Sequence, residues 1–230
     1  LKIHATTSEP IQFKGGEHIH IHKGKGAHTK TIKYRTLLMG SHPAKIHHLT
    51  LRQNLLTNAL LDTQCGERRH YSTDFTIHTI RLLQKHAQIN NLSLNIIFTD
   101  IKSAFYSAIR QIIVQHPPSD MLIYHVLRLL NFTPDQARKL HYKATRQTAM
   151  TRFQVQKELQ AYIAETQIGT WSSQRHLATI NATRTSTRPG DTLAGILFNY
   201  AEAEIFDDIR LRLQQADIAA YIPYDSSLPT

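Results

Sequence analysis

An α+β chain, with helices packed on a short antiparallel sheet, is the fold that three observations in the sequence predict. The first is strict alternation in His18-Ile19-His20-Ile21-His22 between two Gly-Lys clusters. The second is a row of segments from Pro43 onward whose apolar residues recur at helical spacing. The third is the short apolar run Ile96-Ile97-Phe98, which ends at Asp100. Alternation at period two marks a strand, and recurrence every three to four residues marks a helix. With 230 residues the chain is long enough for one large domain or two small ones, and for a substantial core.

Five of the nine glycines fall at or before Gly40, and Lys14-Gly15-Gly16 and Lys23-Gly24-Lys25-Gly26 read as turns around the alternating strand. The three histidines of that strand share a face, a spacing that suits Zn or Cu. No Cys or Asp lies near them in sequence, so they are read as exposed polar positions opposite Ile19 and Ile21. Tyr34 to Met39, with Arg35 at its start, supplies the second strand of a hairpin. A helix follows from Pro43 to Leu61 on the spacing of Ile46, Leu49, Leu56 and Leu60, and carries Lys45 and Arg52. Asp62 to Ser72 is polar and contains Gly66, hence a loop. Ser72 or Thr73 caps a helix to about Asn90 whose apolar residues are Phe75, Ile77, Ile80, Leu82 and Leu83. Asn90-Asn91 closes it, because Asn tolerates the left-handed conformation on which helices end.

The run Ile96 to Phe98 reads as a buried strand that delivers Asp100 to its end. A simpler reading makes Asp100 the cap of the helix suggested by Ser103 to Ile113, and this stretch alone leaves both open. The helix extends to Val114, and His116-Pro117-Pro118 breaks it. Ser119-Asp120 caps a helix to about Leu130. Thr133-Pro134-Asp135 opens another to about Ala149, with Pro in the first turn where its missing N–H costs nothing. Thr151 to Thr166 continues with Phe153, Leu159, Tyr162 and Ile163 on one side. Arg138, Lys139, Lys143, Arg146 and Arg152 make this block basic. Gly169 to Ser172 is a turn holding the sole Trp, read as a core anchor. Thr183 to Thr187 is a Ser/Thr run that leads into Arg188-Pro189-Gly190-Asp191. There Pro189-Gly190 turns, Asp191 caps, and a helix runs on through Ala201, Ile205, Ile209 and Leu213. Arg188 beside a helix N-terminus suits an anion; an ordinary capped helix is the alternative.

The balance of 27 Lys+Arg against 17 Asp+Glu gives a formal charge of +10. Residues 1–50 contribute +6, residues 51–190 contribute +9 and residues 191–230 contribute −5, so an acidic end is segregated from a basic body. Such a field favours a polyanion, and nucleic acid is the commonest large one. Cys65 is the only cysteine, which excludes an intrachain disulfide and a Cys-based zinc site and fits a reducing compartment. No segment approaches the roughly 18 consecutive apolar residues of a membrane span, and the start lacks the signal-peptide pattern. An intracellular protein, nuclear or cytoplasmic, with no membrane partner is expected. The chain starts at Leu1 and ends in loop-like sequence, so it is read as a piece of a longer protein.

The two dense stretches, in this order and about 85 residues apart, resemble motifs A and B of reverse transcriptases of non-LTR retrotransposons. Motif A of that family is an apolar strand, an Asp, four residues and an aromatic; here Phe98-Thr99-Asp100 precedes Phe105. Motif B there is similar to R-Q-G-D-P-L-S-P-x-L-F-N, and Arg188 to Asn199 reads RPGDTLAGILFN. Upstream, Lys23-Gly24-Lys25-Gly26 and Tyr34-Arg35-Thr36-Leu37-Leu38 resemble the fingers pattern P-K-x-G, then Y-R-P-I-S-L. Lys45 and Arg52 resemble basic residues of the next fingers helix, and Gln64-Cys65-Gly66-Glu67-Arg68 with Ser72-Thr73-Asp74 resembles Q-x-G-F-R-x-G-x-S-T-x-D.

The resemblance implies a right-hand polymerase fold, with a fingers-like region over 1–95 and a partial palm over 96–230. Within the palm, motif A covers 96–106, a helical segment 107–168 and motif B 187–200. It implies RNA-directed DNA polymerase activity, in which a primer 3′-hydroxyl attacks the α-phosphate of a dNTP on an RNA template. Two divalent metals, Mg²⁺ or Mn²⁺, activate the nucleophile and stabilise the leaving group. Asp100 would be the catalytic metal ligand, joined by the Ile101 backbone carbonyl. Lys23 and Arg35 would hold the triphosphate, Phe105 would exclude a ribose 2′-OH, and Arg188, Pro189, Gly190 and Asp191 would support the template and nascent pair. The implied partners are RNA template, DNA primer and dNTP, with further palm, thumb and an endonuclease domain in the same protein.

Departures are specific. The family's motif C, an aromatic-x-Asp-Asp hairpin, has no counterpart before Thr230, and Asp207-Asp208 falls inside a helical pattern. This piece alone is therefore expected to be inactive. Pro189, Thr192, Ala194 and Gly195 replace the Gln, Pro, Ser and Pro of relatives. Phe105 argues against a viral-type RNA polymerase, and a non-enzymatic basic module that binds RNA or DNA is the competing reading.

Overall fold

Strand β1 (Gly15–His22) forms where alternation placed it, and β2 (Tyr34–Gly40) pairs with it antiparallel from Gly16↔Gly40 to His22↔Tyr34. The structure is a computed structural model that describes residues 6–56, 64–67, 71–101, 103–115 and 132–217. Strands β3 (Trp171–Gln174) and β4 (Ile180–Ala182) complete a sheet of order β2-β1-β3-β4. β3 runs parallel to β1 and antiparallel to β4. The sheet is thus mixed, and the expected all-antiparallel sheet is corrected at the β1–β3 junction. A parallel pair needs a long crossover, which the helices between the two strands provide. Gly15 permits this junction: a Cβ there would fall 2.3 Å from the Trp171 ring. Trp171 is half-buried, and its indole N–H donates to the Ile11 carbonyl at 2.7 Å.

The hairpin departs from the expected polarity on its isoleucine side. Ile19, Ile21 and Met39 lie exposed, whereas Leu38, whose partner is His18, is buried. The isoleucine face thus turns outward, while His18 and His22 are half-buried and His20 is exposed, as expected of it.

Helix α1 (His42–Leu56) also buries a different stripe from the expected one. Ala44, His48, Leu51 and Leu55 face the core, while Ile46 and Leu49 are exposed. The part of the expected helix beyond Leu56 lies outside the described residues. Helix α2 (Thr73–Ile89) begins on Ser72, whose side chain accepts from Phe75 N, and ends at Asn90 with Asn91 at φ 52°. Ala87 is its only buried residue.

The expected buried strand at Ile96 to Asp100 does not form. The segment is irregular, and Ile97 and Phe98 are 84% and 83% exposed. A strand needs a partner along its edge, and the described sheet pairs β1 with β2 and β3 instead. The helix expected over Ser103 to Val114 is two short ones, α3 (Ala104–Ser107) and α4 (Arg110–Ile113), parted by extended backbone at Ala108 and Ile109. The helix expected after Ser119 lies outside the described residues. Helix α5 (Pro134–Arg146) opens on a capping box between Thr133 and Gln136. The helix read over Thr151 to Thr166 is α6 (Ala149–Arg152) and α7 (Lys157–Gln167), separated at Gln154, which has φ 55°.

Helix α8 (Ala194–Gln215) closes the fold. Its first half buries Ile196, Leu197, Tyr200 and Ala203 against Leu51, Leu55, Ile113, Val114, Met150 and Ile163. Ile205, Ile209 and Leu213, read as part of its apolar side, are exposed. Glu204 and Asp207 are buried because Lys143 and Arg152 reach them: Lys143 Nζ lies 2.5 Å from Glu204, and Arg152 pairs with Asp207.

Candidate functional site

The loop Arg188-Pro189-Gly190-Asp191 sits where β2, α1 and the start of α8 meet. Leu38 N donates to the Pro189 carbonyl at 2.8 Å. Gly190 has φ 108°, and a Cβ there would fall 2.3 Å from the Leu38 carbonyl oxygen, so the approach requires glycine. Arg188 takes φ 60°, uncommon for a residue with a side chain. Asp191 accepts from Leu193 N at 3.1 Å, which preserves part of its expected capping role ahead of a helix whose N-cap residue is Leu193.

Behind this loop lies a buried charge network. His48 Nδ1 is 2.9 Å from Asp191 Oδ1, and His48 Nε2 is 2.5 Å from Glu9 Oε1. Arg188 Nη2 lies 2.6 Å from Asp191 Oδ2, and Arg188 Nη1 donates to the Lys14 carbonyl at 2.9 Å. Burial alone would lower the His48 pKa; hydrogen bonds to Asp191 and Glu9, with their charges, outweigh it and raise the value to about 9. Burial would raise the pKa of Asp191, but Arg188 and His48 more than offset it and hold the carboxyl well below its ordinary range. At neutral pH two cations face two anions away from water, the condition under which buried charge is tolerated.

Arg110, in α4, is the second organising cation. Its Nε donates to the Ser186 carbonyl at 2.6 Å, Nη1 to Thr170 Oγ1 at 2.6 Å and to the Gln167 carbonyl at 3.1 Å, and Nη2 to the Thr185 carbonyl at 2.8 Å. The Ser/Thr run therefore wraps a guanidinium. Burial and the neighbouring Arg188 push the Arg110 pKa down to about 9 against the opposing pull of Asp191, so it stays charged at neutral pH. Neither Glu9, His48 nor Arg110 was singled out from sequence. The available signals were a polar residue inside the Ala44/Leu51/Leu55 stripe and a lone arginine between Ile109 and Ile112-Ile113.

The other sequence-derived site residues are dispersed. Asp100 and Ile101 are exposed in the irregular segment, and the N-cap of α3 is Ser103. Phe105 is half-buried and packs on Phe198, with ring centroids 5.1 Å apart. Lys23 Nζ donates to the Ile32 carbonyl at 2.9 Å, across its own hairpin. Arg35 is exposed and pairs in register with Ile21 on the outer face. Gln64 donates to the Asn199 carbonyl at 3.0 Å, and Asn199 donates to the Gly66 carbonyl at 2.6 Å. Arg52 meets Glu67 at 2.6 Å. Arg68 lies outside the described residues.

Among the described residues no group of three or more His, Cys, Asp or Glu side chains is placed to hold a metal, the histidines of β1 included. One exposed carboxylate with a neighbouring carbonyl falls short of the oxygen set that a pair of hard divalent cations takes. No helix among the described residues is long and apolar enough to cross a membrane. Compared with protein-family models, with curated proteins and with solved structures, the chain matches none.

Proposed function

We propose that the chain is the fingers and partial palm of a reverse transcriptase of non-LTR retrotransposon type, unable to polymerise as this piece. The observation that carries the reading is convergence. The blocks that resemble fingers motifs, in β2, in α1 and at Gln64 to Glu67, all dock on the stretch that resembles motif B. Leu38 meets Pro189, His48 meets Asp191, Gln64 and Gly66 meet Asn199, and the Lys45 carbonyl accepts from Thr192 Oγ1 at 3.5 Å. Phe105 of the stretch like motif A rests on Phe198 of the same helix. Four blocks distant in sequence thus share one structural neighbourhood, as parts of a common template and nucleotide platform would.

In this reading Arg188 to Asp191 form a rigid floor, their charges consumed internally, and the basic body positions a primer–template through phosphate contacts. The incomplete carboxylate set accounts for the proposed inactivity. The competing reading, a non-enzymatic basic module that binds RNA or DNA, is favoured by the exposed placement of Asp100, which joins no metal-holding group among the described residues.

Filter binding of a primer–template across a salt series, with and without Mg²⁺ and dNTP, tests both. The polymerase reading expects salt-steep binding, together with Mg²⁺-dependent dNTP retention that Asp100→Asn weakens while nucleic-acid binding survives. Identical behaviour of wild type and Asp100→Asn favours the module, and absence of nucleic-acid binding sinks both.

A further inference from the structure

A pocket of about 290 Å³ opens between the inward face of the β1–β2 hairpin and the Ser/Thr run, with His18, Tyr106, Arg110, Arg184 and Arg188 on its walls. No Asp or Glu is among the described residues that line it. Of the positions that the resemblance singles out it borders Arg188 and Pro189, whereas Asp100, Lys23 and Arg35 lie outside it. We propose that this pocket is a binding site for a terminal phosphate or diphosphate group.

Charge balance is the first argument. Glu9 and Asp191 offset His48 and Arg188, and Lys14 is matched by Glu165 at 2.5 Å. Arg110 is left over: all its acceptors are neutral carbonyls and hydroxyls. A buried guanidinium without a counter-ion is costly, and an anion in the adjoining pocket removes the imbalance.

An unmet donor is the second. Arg188 is 4% exposed and its Nη2 is taken up by Asp191 at 2.6 Å, yet its Nε has no acceptor in hydrogen-bond geometry. Buried donors are seldom left so, and phosphate is the planar fork's natural partner.

The wall chemistry is the third. The carbonyls of Thr183, Thr185 and Ser186 would repel an anion if they faced it bare, but each already accepts from Arg110. Arg184 is exposed and has no ion pair or hydrogen bond with a described residue, so its guanidinium is free to close on a bound group. Ser186 and Arg188 both hold positive φ, at 82° and 60°. Backbone strain of this kind concentrates at ligand clamps.

Size selects the ligand class. About 290 Å³ admits a small phosphorylated group, and a second negative charge rewards a terminal phosphate over a backbone phosphodiester.

Calorimetry with the 230-residue chain and sodium pyrophosphate tests this, with inorganic phosphate and a 5′-hydroxyl oligonucleotide as comparisons. One saturable pyrophosphate per chain is expected, with phosphate weaker and the oligonucleotide unable to displace either. Arg184→Ala should weaken pyrophosphate about tenfold, the loss of one charge-assisted bond. Arg138→Ala, on the exposed side of α5, should leave it unchanged. Histidine NMR gives a second readout: the His18 imidazole, held low by burial and by His20, should titrate at higher pH with pyrophosphate bound. Equal losses from Arg184→Ala and Arg138→Ala, displacement by the oligonucleotide, or an unmoved His18 would each overturn the site.

Discussion

His48 Nδ1 lies 2.9 Å from Asp191 Oδ1, although 143 residues separate the two in sequence. The contact ties α1 to the loop ahead of α8, and Glu9 on the other imidazole nitrogen completes a buried clamp. Its pH dependence has a definite sign. His48 has a folded pKa of about 9 against an unfolded value of 6.5, so its contribution is fully present below about pH 6.5 and is lost as pH rises through about 9. Asp191, depressed on folding, contributes above its unfolded pKa and loses that contribution as pH falls. Urea unfolding between pH 5 and 10 should therefore show a plateau that falls on the alkaline side by on the order of 3 kcal/mol. His48→Gln should flatten that fall and lower the plateau by about 3–5 kcal/mol, because two carboxylates lose their buried partner.

Arg110→Lys should destabilise the chain by about 2–4 kcal/mol in denaturant titrations. An ammonium has three donors on a flexible stem and cannot reproduce the planar fork that reaches Gln167, Thr170, Thr183, Thr185 and Ser186 together. A loss below about 0.5 kcal/mol would mean that the Ser/Thr run holds its course without the guanidinium.

At Gly190, alanine meets both a positive φ and the Leu38 carbonyl oxygen. Gly190→Ala should cost about 1–3 kcal/mol, read as a lower melting temperature, and the chemical shifts of Leu38 N–H should move as its bond to Pro189 is displaced.

Phe98→Ala separates the two descriptions of the apolar run. A buried strand residue of that size would cost about 3–5 kcal/mol on truncation, whereas the exposed position should cost less than about 0.5 kcal/mol. Thermal melts of the single variant decide it.

The contrast at Phe98 shows where sequence reading reached and where it stopped. Local signals worked: the Gly-Lys turns with alternating strand, the Ser72 cap, the Asn90-Asn91 stop and the Thr133-Pro134 start all reappear, because each depends on a few neighbouring dihedrals. Which face is buried did not follow. Ile19 and Ile46 looked inward by hydropathy, but Leu38 is pinned to Pro189 and His48 to Asp191, and those contacts set the rotation of strand and helix. The candidate site was legible only in its loop, Arg188 to Asp191. Its partners Glu9 and His48, and the Arg110 clasp, arise from contacts across 39 to 143 residues that no local pattern encodes.

The parallel junction between β1 and β3 has a consequence for synthesis. Gly15 pairs in register with Trp171, so during translation the first hairpin, complete at Gly40, must stand with one edge open until the chain has grown by roughly 130 further residues. At ribosomal rates of about 5–20 residues per second that interval lasts about 7–26 s. Over that time the hairpin's unpaired amides and its outward isoleucines are available to other nascent chains, and the Lys and His residues flanking and interrupting them act as gatekeepers against association.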